Sequence, residues 1–492
     1  MSSSAHFVDP NSFHRQSDEF MAWLAHKPGV KISPKIQLAD LRSTDAGRGV
    51  VSRCDIPEGE ELFAIPRDLV LTPHNSKLNS LLSQELGELG PWLSLILVMI
   101  YEFLQGDKST WAPYFMVLPR EFDTLMFWSD EELKELQGSA IIDRIGKQGA
   151  EESILEMIAP IVRENPSLFP PVDGLSSYEG NGGTKTLLSL AHMMGSLIMA
   201  YAFDIEKPED EDGEGDDESG YMTDEEEQLP KGMVPLADLL NADAHRNNVS
   251  FEHILSECSA LPRGRLLGHE AIKPIKEGDE IFNDYGEIPR SDLLRRYGYV
   301  TDSYAPYDVV ELPLDAICEA AGLESADIES QPALHFLEDF ELLDDGYAIP
   351  RPSPEDSLSD ILPDELLLLL KTLAFSPEQL KQQKSKNKPP KPSLGQAEAA
   401  ILSKAVQLKQ SQYATTISQD QEHLAKLGQL VASERSSRRR KMATQVRIGE
   451  KEVLHKLSSM LDGFMTNGEG STLKRNANND GRDSRRTKAQ KS

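Results

Sequence analysis

The sequence contains little cysteine and no long apolar run. Its three cysteines, Cys54, Cys258 and Cys318, lie far apart and form no CxxC pair, which excludes a disulfide-stapled fold and a cysteine zinc site. The most apolar stretch, 91–104, is interrupted by a serine and a glutamate, and it is shorter than the about 20 residues that a membrane-spanning helix needs. No basic start followed by an apolar run marks a signal peptide. We therefore expect a protein of a reducing compartment inside the cell.

Basic residues are also in deficit, because 51 Lys and Arg stand against 81 Asp and Glu, a net charge of −30. This charge is uneven along the chain. Segment 206–227 contains 13 acids and one Lys, whereas the last 62 residues contain 15 Lys and Arg and seven acids. An acidic surface repels nucleic acid and anionic lipid and attracts basic proteins. We therefore expect a basic protein as partner, and neither nucleic acid nor a membrane.

The patterns along the chain indicate two or three domains, since a domain contains about 150 residues. Hydrophobic residues make up 39% of the 492 positions, enough for a packed core. Short β-type runs occur at 35–72 and 249–286, and the β patterns fade past about residue 310. The strongest helical patterns are 18–25, 92–104, 184–205, 396–410 and 419–461, together with a helix capped by Asp130 and a linker at 382–392.

Taken one at a time, the candidate motifs have ordinary interpretations. Paired glycines such as Gly47 and Gly49 most often form a turn, and a tyrosine at a polar strand end, such as Tyr285, is usually packed or exposed. His245 and His253 are too isolated to ligate a metal, because a third ligand is missing from the sequence around them. No metal site is predicted.

Three segments in this order resemble the SET-domain protein-lysine methyltransferases. They are AGRGV at 46–50, LADLLNADAHRNNVSFE at 236–252 and EIFNDYGEIPRSDLLRRYGYV at 280–300. The last run is specific to a subgroup with a long helical insert inside the SET domain and a Rubisco-methyltransferase-type C-terminal substrate-binding domain. The runs WAPYF, LMFW, MAYAF and VRIGEKEVL also fall where this subgroup has similar runs. The resemblance spans about 35–460.

The resemblance implies an α+β fold, in which a SET domain of small β-sheets with a helical insert is followed by an all-α C-terminal domain. The implied N-terminal helical extension is 1–34, and the SET domain is 35–300. The latter contains the helical insert at about 79–205 and an acidic loop at 206–227. A helical substrate-binding domain at 301–465 and a disordered basic tail at 466–492 complete the expected organisation.

The implied reaction transfers a methyl group from S-adenosyl-L-methionine to the side-chain amine of a protein lysine. Only about one lysine in 2,500 is neutral at pH 7, so burial of the amine in an aromatic channel favours the reactive form. What remains for the protein is alignment of amine, methyl group and sulfur. The resemblance gives this catalytic role to Tyr285, whose hydroxyl would orient the amine or the methyl group.

Other site residues also follow from the resemblance. The backbone of the glycine turn, the Asn241 side chain and the Tyr297 ring would contact the cofactor. The implied cofactor-binding residues are Ala46, Gly47, Arg48, Gly49, Asn241, Ala242 and Tyr297. Ala242 replaces a histidine that is common in the subgroup, so only its backbone could contribute. Trp111, Tyr201 and Phe203 are candidate walls of the lysine channel, with ordinary core packing as the alternative.

The resemblance further implies a lysine of a large-subunit ribosomal protein as the substrate. A chromatin or signalling protein is one alternative, and a catalytically inactive SET-fold protein that only binds peptides is another. The acidic loop is either a solubilising insert or an attractor for a basic substrate. The basic runs 438–441 and 485–491 could be nuclear-import signals, although the first could equally be a solvated helix face. We expect a monomer in the nucleus, with the cytoplasm as a second location.

Overall fold

The chain forms two compact units in a computed structural model. The N-terminal unit comprises 1–122 and 146–286, and the C-terminal unit comprises 123–145 and 287–492. The structure describes residues 10–44, 46–205, 230–254, 266–323, 325–427 and 435–467. Cys258, the whole predicted acidic loop at 206–227 and all of the predicted basic tail after residue 467 lie outside these described residues. The domain boundaries implied by the resemblance, including the break after residue 300, stay a prediction.

Helices and short strands alternate along both units. The helices are α1 (Pro10–Ala25), α2 (Ser83–Glu88), α3 (Gly90–Gln105), α4 (Ala112–Val117), α5 (Asp130–Leu133), α6 (Lys147–Ser153), α7 (Ala159–Glu164), α8 (Gly180–Tyr201), α9 (Arg290–Tyr297), α10 (Leu314–Ala321), α11 (Pro332–Glu338), α12 (Leu358–Ile361), α13 (Asp364–Leu373), α14 (Pro377–Ser385), α15 (Gln396–Ser411), α16 (Ile417–Leu427) and α17 (Arg435–Asn467). The strands are β1 (Lys31–Ile32), β2 (Ile36–Asp40), β3 (Arg48–Ser52), β4 (Glu61–Pro66), β5 (Ala202–Asp204), β6 (Lys231–Met233), β7 (Asn241–Ala242), β8 (Val249–Ile254), β9 (Leu266–Ala271), β10 (Phe282–Asn283), β11 (Val309–Pro313) and β12 (Gly346–Pro350).

The N-terminal unit is built on a four-stranded antiparallel sheet with the order β1-β4-β9-β8. Strand β4 lies inside this sheet, and its apolar run from Leu62 to Ile65 is buried. Burial of successive residues, which point to opposite faces, means that both faces of β4 are covered. The Phe63 ring stacks on the His269 ring of β9 with centroids 4.5 Å apart. This sheet forms the frame for the smaller strand pairs.

Three smaller pairs complete the strands of the N-terminal unit. Strands β2 and β3 form an antiparallel pair in which Asp40 lies opposite Arg48. Strands β5 and β6 are also antiparallel. Strands β7 and β10 are parallel, with Asn241 opposite Phe282. Because a parallel pair needs a long crossover connection, it brings together residues that lie far apart in sequence.

Most predicted helices are present, with different ends. The pattern at 92–104 lies within α3, and the pattern at 396–410 lies within α15. Helix α1 begins at Pro10, earlier than the predicted residue 18. Helix α8 ends at Tyr201 rather than at residue 205, because Ala202–Asp204 pairs with β6 as strand β5. Helix ends depend on such tertiary pairing, which a local pattern does not contain.

Two local predictions at helix ends are wrong. Ser129, not Asp130, caps helix α5, because the Ser129 hydroxyl accepts the N–H of Glu132 while the Glu132 carboxylate accepts the N–H of Ser129. This reciprocal capping box satisfies two N–H groups that the helix leaves free. The predicted linker at 382–392 begins four residues too early, because α14, with its Ser376 cap and Pro377 start, continues to Ser385; 386–392 is irregular as predicted.

The C-terminal unit contains helices and one strand pair. Strands β11 and β12 are antiparallel, with Val309 opposite Pro350. The expectation of an all-α region here is wrong in this detail. Buried and half-buried residues alternate along each strand, so that Val310 and Leu312 reach the apolar core of this unit. Five-residue strands more than 30 residues apart carry too little periodicity to be distinguished from loops.

Helix α17 passes through the core of the C-terminal unit. Its leucines Leu454 and Leu457 are fully buried in the apolar cluster. Arg447 and Lys451 on the same helix pair with Asp420, at 2.9 Å from Nη2 to Oδ1 and 2.5 Å from Nζ to Oδ2. The predicted helix at 419–461 therefore corresponds to α16 and α17, with 428–434 outside the described residues. Within the described ranges, no helix is long and apolar enough to cross a membrane.

Candidate active site

The glycine turn before β3 leaves its backbone open on one side. Gly47 has φ of +66°, which favours glycine, and apart from its chain neighbours no described residue has an atom within 4 Å of the place where its Cβ would stand. The Leu41 N–H donates to the Gly47 carbonyl at 2.8 Å, and the Ala46 N–H donates to the Leu41 carbonyl at 3.1 Å. The turn is therefore held by its own hydrogen bonds, while a ligand could approach the Gly47 backbone closely.

Asn241 joins this turn to the segment that precedes β10. Its Nδ2 lies 3.3 Å from the carbonyl oxygen of Ala46, 3.4 Å from that of Arg48 and 2.7 Å from Glu280 Oε1. A Cβ on Gly49 would stand only 2.9 Å from Asn241 Nδ2, so a glycine is needed for this approach. The structure thus brings together the predicted residues of the turn and Asn241, and Ala242 follows Asn241 on β7.

Tyr285 follows the strand that pairs with β7. In the parallel pair, Ala242 lies opposite Asn283, two residues before Tyr285. The Tyr285 side chain is half-buried. The neighbouring Asp284 carboxylate accepts the Gly286 N–H at 2.8 Å and Asn247 Nδ2 at 3.1 Å, which fixes the turn around the tyrosine. Tyr285 therefore lies two residues beyond the strand pair that contains Asn241, and its catalytic role stays a prediction.

Tyr297 lies in the C-terminal unit, at the end of helix α9. Burial raises the pKa of its hydroxyl to about 12, so the group is neutral at physiological pH. The Tyr297 and Tyr299 rings lie with centroids 6.4 Å apart. Gly298 follows the last residue of the helix; its φ of +76° suits glycine, and a Cβ there would stand 2.8 Å from the Thr124 nitrogen. The cofactor contact of Tyr297 stays a prediction.

The three candidate channel walls lie in the N-terminal unit. Trp111 is only 3% exposed, and its Nε1 donates to the Leu69 carbonyl at 3.0 Å, which is the environment of an ordinary core tryptophan. Tyr201, at the end of α8, and Phe203, on β5, are half-buried. The Phe203 ring meets the His269 ring edge-on at 6.2 Å. Contact of these three side chains with a substrate lysine stays a prediction.

Sequence reasoning missed Glu280. Burial raises the pKa of its carboxyl, while the hydrogen bond from Asn241 lowers it. Glu280 directly precedes the buried apolar residues Ile281 and Phe282. A carboxylate beside such a buried run is the sequence signal that could have identified it. Its role in the site became visible only through the contact with Asn241.

Sequence reasoning also missed a buried pair close to Asn241. The Tyr114 hydroxyl forms a hydrogen bond with Asp238, and both side chains are buried. Burial raises the pKa of the Asp238 carboxyl to about 8. Asp238 lies between apolar residues in the run LADLL, and such an acid in an apolar run is itself an indication of a special environment.

His245, which follows the Asn241 segment, does not lie in a cluster of metal-ligating side chains among the described residues. His245 is exposed, and its backbone N–H donates to Asp243 Oδ1 at 3.0 Å. Arg246 next to it pairs with the same Asp243 carboxylate at 2.9 Å. Among the described residues, no three His, Cys, Asp or Glu side chains lie close enough together to hold a metal ion.

Two protein families match this chain. The SET domain family matches residues 47–286, and the Rubisco LSMT substrate-binding family matches residues 323–454. This chain belongs to the SET-domain protein-lysine methyltransferases. The first match contains the glycine turn, Asn241 and Tyr285, and the second contains most of the helices of the C-terminal unit. Both the family and its two-domain subgroup agree with the resemblance seen in the sequence.

Several relatives are similar over much of this methyltransferase. Ribosomal lysine N-methyltransferase 4 of Saccharomyces cerevisiae is 35% identical over 320 residues, which cover 63% of this chain and 60% of the yeast protein. N-lysine methyltransferase setd6 of Xenopus laevis is 29% identical over 467 residues, which cover 89% and 93%. SETD6 of Homo sapiens is 29% identical over 460 residues, which cover 86% and 87%.

Solved structures confirm the fold of this methyltransferase. A crystal structure of the SET domain of LSMT bound to lysine and AdoHcy superposes with a TM-score of 0.66 at 22% identity, over 92% of both chains. A structure of Rubisco LSMT bound to AdoMet superposes with a TM-score of 0.62 at 22% identity. At this identity the likeness concerns the fold alone, and it confirms the predicted α+β class.

The family makes this chain a protein-lysine N-methyltransferase that uses S-adenosylmethionine. The residues of the glycine turn fit such a donor, because the backbone at Gly47 is open where a side chain would stand. Ala46, Gly47 and Asn241 are the residues that would hold it. The predictions of enzyme class and cofactor are thereby confirmed, whereas the individual contacts stay predictions.

Proposed function

We propose that this methyltransferase acts on a lysine of a large-subunit ribosomal protein. The yeast protein that is 35% identical to this chain is named for ribosomal lysine methylation, which supports a ribosomal substrate. The net charge of −30 supports it independently, because a strongly acidic enzyme attracts basic proteins over distances comparable to the Debye length. The observation that carries the activity itself is the junction of Ala46, Arg48 and Asn241 beside the strand that leads to Tyr285.

In this proposal, S-adenosylmethionine supplies the methyl group when it is bound, and the chain supplies position. The open Gly47 backbone and the Asn241 segment would hold the donor. The Tyr285 hydroxyl would orient the substrate amine, which must first lose its proton to become a nucleophile. An apolar channel favours this loss, since burial disfavours the charged ammonium form.

Methylation of separated ribosomal proteins tests the substrate class. The purified enzyme would be incubated with radiolabelled S-adenosylmethionine and three protein mixtures: large-subunit ribosomal proteins, small-subunit ribosomal proteins and core histones. We expect one dominant labelled band among the large-subunit proteins, with labelling that decreases from 50 to about 300 mM salt. Labelling of histones in preference to ribosomal proteins would favour the chromatin alternative. Absence of labelling together with absence of cofactor binding would favour the inactive peptide-binding protein.

We also propose that the acidic loop at 206–227 attracts the basic substrate. Its 13 acids precede the Asn241 segment in the sequence. Deletion of the loop should raise the KM for the basic protein at low salt and leave the KM for a short neutral peptide unchanged, since long-range attraction depends on substrate charge. An unchanged KM for the protein would return the loop to a solubilising insert.

The proposed location is the nucleus, with the cytoplasm as a second location. Of the two basic runs that support it, the run at 438–441 is partly engaged, because Arg438 and Arg439 both pair with Asp123 within the C-terminal unit. The run at 485–491 lies outside the described residues. We therefore expect nuclear import to require 485–491. A fluorescent fusion that lacks this run should lose nuclear enrichment.

We propose further that the enzyme is a monomer that recognises protein without nucleic acid. The acidic surface supports this proposal, since like charges oppose contact with phosphates. Light scattering after size-exclusion chromatography should give the mass of one chain, 54.7 kDa. Ribonuclease treatment of the substrate should leave methylation unchanged. A dimer mass would contradict the monomer, and loss of activity after ribonuclease treatment would contradict recognition without nucleic acid.

A further inference from the structure

Helix α1 packs on the N-terminal unit although it precedes the matched SET region. The match begins at residue 47, whereas α1 ends at Ala25. Its buried side chains include Phe13, Phe20 and Leu24, which are at most 2% exposed. Their spacing of seven and four residues places them on one face of the helix. The helix is therefore docked through an apolar stripe, and two members of that stripe lead to the candidate active site.

The first connection runs from Phe13 to the glycine turn through Arg48. The Arg48 guanidinium carbon lies 3.9 Å from the centre of the Phe13 ring. The same group donates to Ser17 Oγ at 3.1 Å and to the Val117 carbonyl of α4 at 2.7 Å. Burial lowers the pKa of Arg48 to about 10, so the side chain remains charged at neutral pH. A cation on an aromatic face, away from bulk water, is a comparatively strong contact.

The backbone of Arg48 contacts the Asn241 side chain, whereas its own side chain contacts helix α1. Its carbonyl oxygen lies 3.4 Å from Asn241 Nδ2. The guanidinium points to α1 and α4, where it has several partners. A displacement of α1 would therefore be transmitted to the peptide group that Asn241 contacts. This arrangement explains why an arginine stands between two glycines in a turn whose backbone is the functional part.

The second connection runs from Phe20 to the Asn241 segment. The Phe20 ring centroid lies 6.1 Å from that of Tyr114, whose hydroxyl bonds Asp238. Asp238 is three residues before Asn241. Leu236, two residues before Asp238, has φ of +77°. This backbone conformation is strained for a bulky residue and persists only where the surrounding structure stabilises it. Helix α1 thus contacts Arg48, which belongs to the glycine turn, and Tyr114, which bonds the segment that leads to Asn241.

We propose that helix α1 positions the cofactor-binding turn, with Phe13 and the Arg48 side chain as positioning residues. The proposal goes beyond methyl transfer itself, and it rests on the assignment of the 46–49 turn to S-adenosylmethionine. Neither side chain needs to touch the cofactor. Their effect is to fix the Arg48 peptide group against Asn241, and pre-organisation of this kind tightens binding by reducing the ordering that binding must impose.

Calorimetric titration with S-adenosylmethionine tests this proposal on three single variants of the full chain. Phe13→Leu keeps an apolar side chain and removes the ring face, and Arg48→Lys keeps the charge and removes the planar fork. Arg15→Lys is the matched control, because Arg15 is on the same helix, its side chain is 67% exposed, and its nitrogen lies as far as 3.9 Å from the Glu19 carboxylate. We expect the Kd to rise about tenfold for Phe13→Leu and for Arg48→Lys, and less than about twofold for the control.

The double variant Phe13→Leu/Arg48→Lys separates a positioning role from two independent defects. If both residues act through one contact, its Kd should lie within about twofold of that of Arg48→Lys alone. At saturating cofactor, kcat should fall by a smaller factor than the Kd rises, because both side chains position the turn and the reacting groups are retained. Circular dichroism and melting temperature would be measured for each variant, and Arg48→Lys alone carries the test if Phe13→Leu does not fold.

Two outcomes overturn the positioning role. The first is a lower melting temperature with an unchanged Kd, which would make α1 only a cover for the core. The second is a rise in the Kd of the double variant that equals the product of the two single-variant rises, because the two side chains would then contribute independently. Failure of the unmodified chain to bind S-adenosylmethionine at millimolar concentration is a different result, because it removes the proposed activity, and the positioning role with it.

Discussion

Asn241 Nδ2 and Glu280 Oε1 lie 2.7 Å apart, although the two residues are 39 positions apart in the sequence. The same nitrogen faces the carbonyl oxygens of Ala46 and Arg48. One amide group therefore meets three acceptors, two from the glycine turn and one from the segment that leads into β10. This junction connects the turn to Tyr285 through the parallel strand pair, and it requires a donor at position 241.

Replacement of this donor should damage cofactor binding. Asn241→Asp would place a carboxylate against Glu280 and against two carbonyl oxygens, and burial already disfavours the charged form of Glu280. We expect the Kd for S-adenosylmethionine, measured by calorimetry, to rise at least about tenfold. The double variant Asn241→Asp/Glu280→Gln restores a donor to the pair and should recover part of the loss. A double variant weaker than Asn241→Asp contradicts this account of the pair.

Loss of the Tyr285 hydroxyl should abolish most of the methyl transfer. Tyr285→Phe keeps the half-buried ring and removes the group that would orient the amine. We expect kcat to fall at least about 100-fold, because misalignment of reacting groups is costly, while the melting temperature stays within a few degrees. Tyr307→Phe, a half-buried tyrosine in the C-terminal unit, is the control and should retain activity. Unchanged transfer in Tyr285→Phe would show that another residue has this role.

A single methyl group at Gly449 should destabilise the C-terminal unit. A Cβ there would stand 2.2 Å from Asp308 Oδ2 and 2.6 Å from Arg290 Nη2, so it would separate this buried ion pair. The same Asp308 carboxylate accepts the Arg290 N–H at the start of α9 at 3.2 Å. We expect Gly449→Ala to lower the free energy of unfolding, measured by urea denaturation, by about 3 kcal/mol or more.

The control for this prediction is Gly463→Ala on the same helix. Among the described residues, no atom outside the helix's own backbone lies within 4 Å of a Cβ at Gly463, so the substitution adds no clash with them. Alanine also has the higher helix propensity, and we expect a stabilisation of up to about 1 kcal/mol. Equal effects of the two substitutions would mean that the Arg290–Asp308 pair can move without cost.

Buried Glu450 should make the stability of the C-terminal unit depend on pH. Burial raises the pKa of its carboxyl to about 7, against the opposing effects of Ser139, Tyr413 and Lys409. The folded chain therefore binds a proton more tightly than the unfolded chain, whose carboxyl has a pKa near 4.5. It follows that this contribution to stability is complete below about pH 4.5 and is lost as the pH rises to about 7.

Glu450→Gln tests this sign. The amide has the same shape and does not titrate. Between pH 4.5 and 7, the unfolding free energy of the variant should therefore decrease less than that of the wild type, by on the order of 3 kcal/mol. Asp238 in the N-terminal unit changes stability in the same direction, because its pKa is also raised. The measurement is therefore the difference between variant and wild type across that range. Parallel pH profiles would contradict the prediction.

Local sequence predicted the elements whose signals are local. The apolar run at 92–104 became helix α3, and the glycine turn at Gly47 has the positive φ that a paired-glycine motif favours. The strands β11 and β12 were missed, because each has only five residues and its partner is far away in the chain. The cap of α5 was misplaced by one residue, since Ser129 and Asp130 are both good caps and only the structure shows which side chain bonds Glu132.

The sequence by itself determined the family of this protein, because residue types and their order, such as the glycine turn, Asn241 and Tyr285, are properties of the chain alone. Only the tertiary structure decided what supports those residues. Glu280 bonds Asn241 across 39 positions, Arg48 lies on Phe13 across 35, and Tyr114 bonds Asp238 across 124. Such contacts, and the pKa shifts that burial causes, depend on the path of the folded chain through space, which no local pattern contains.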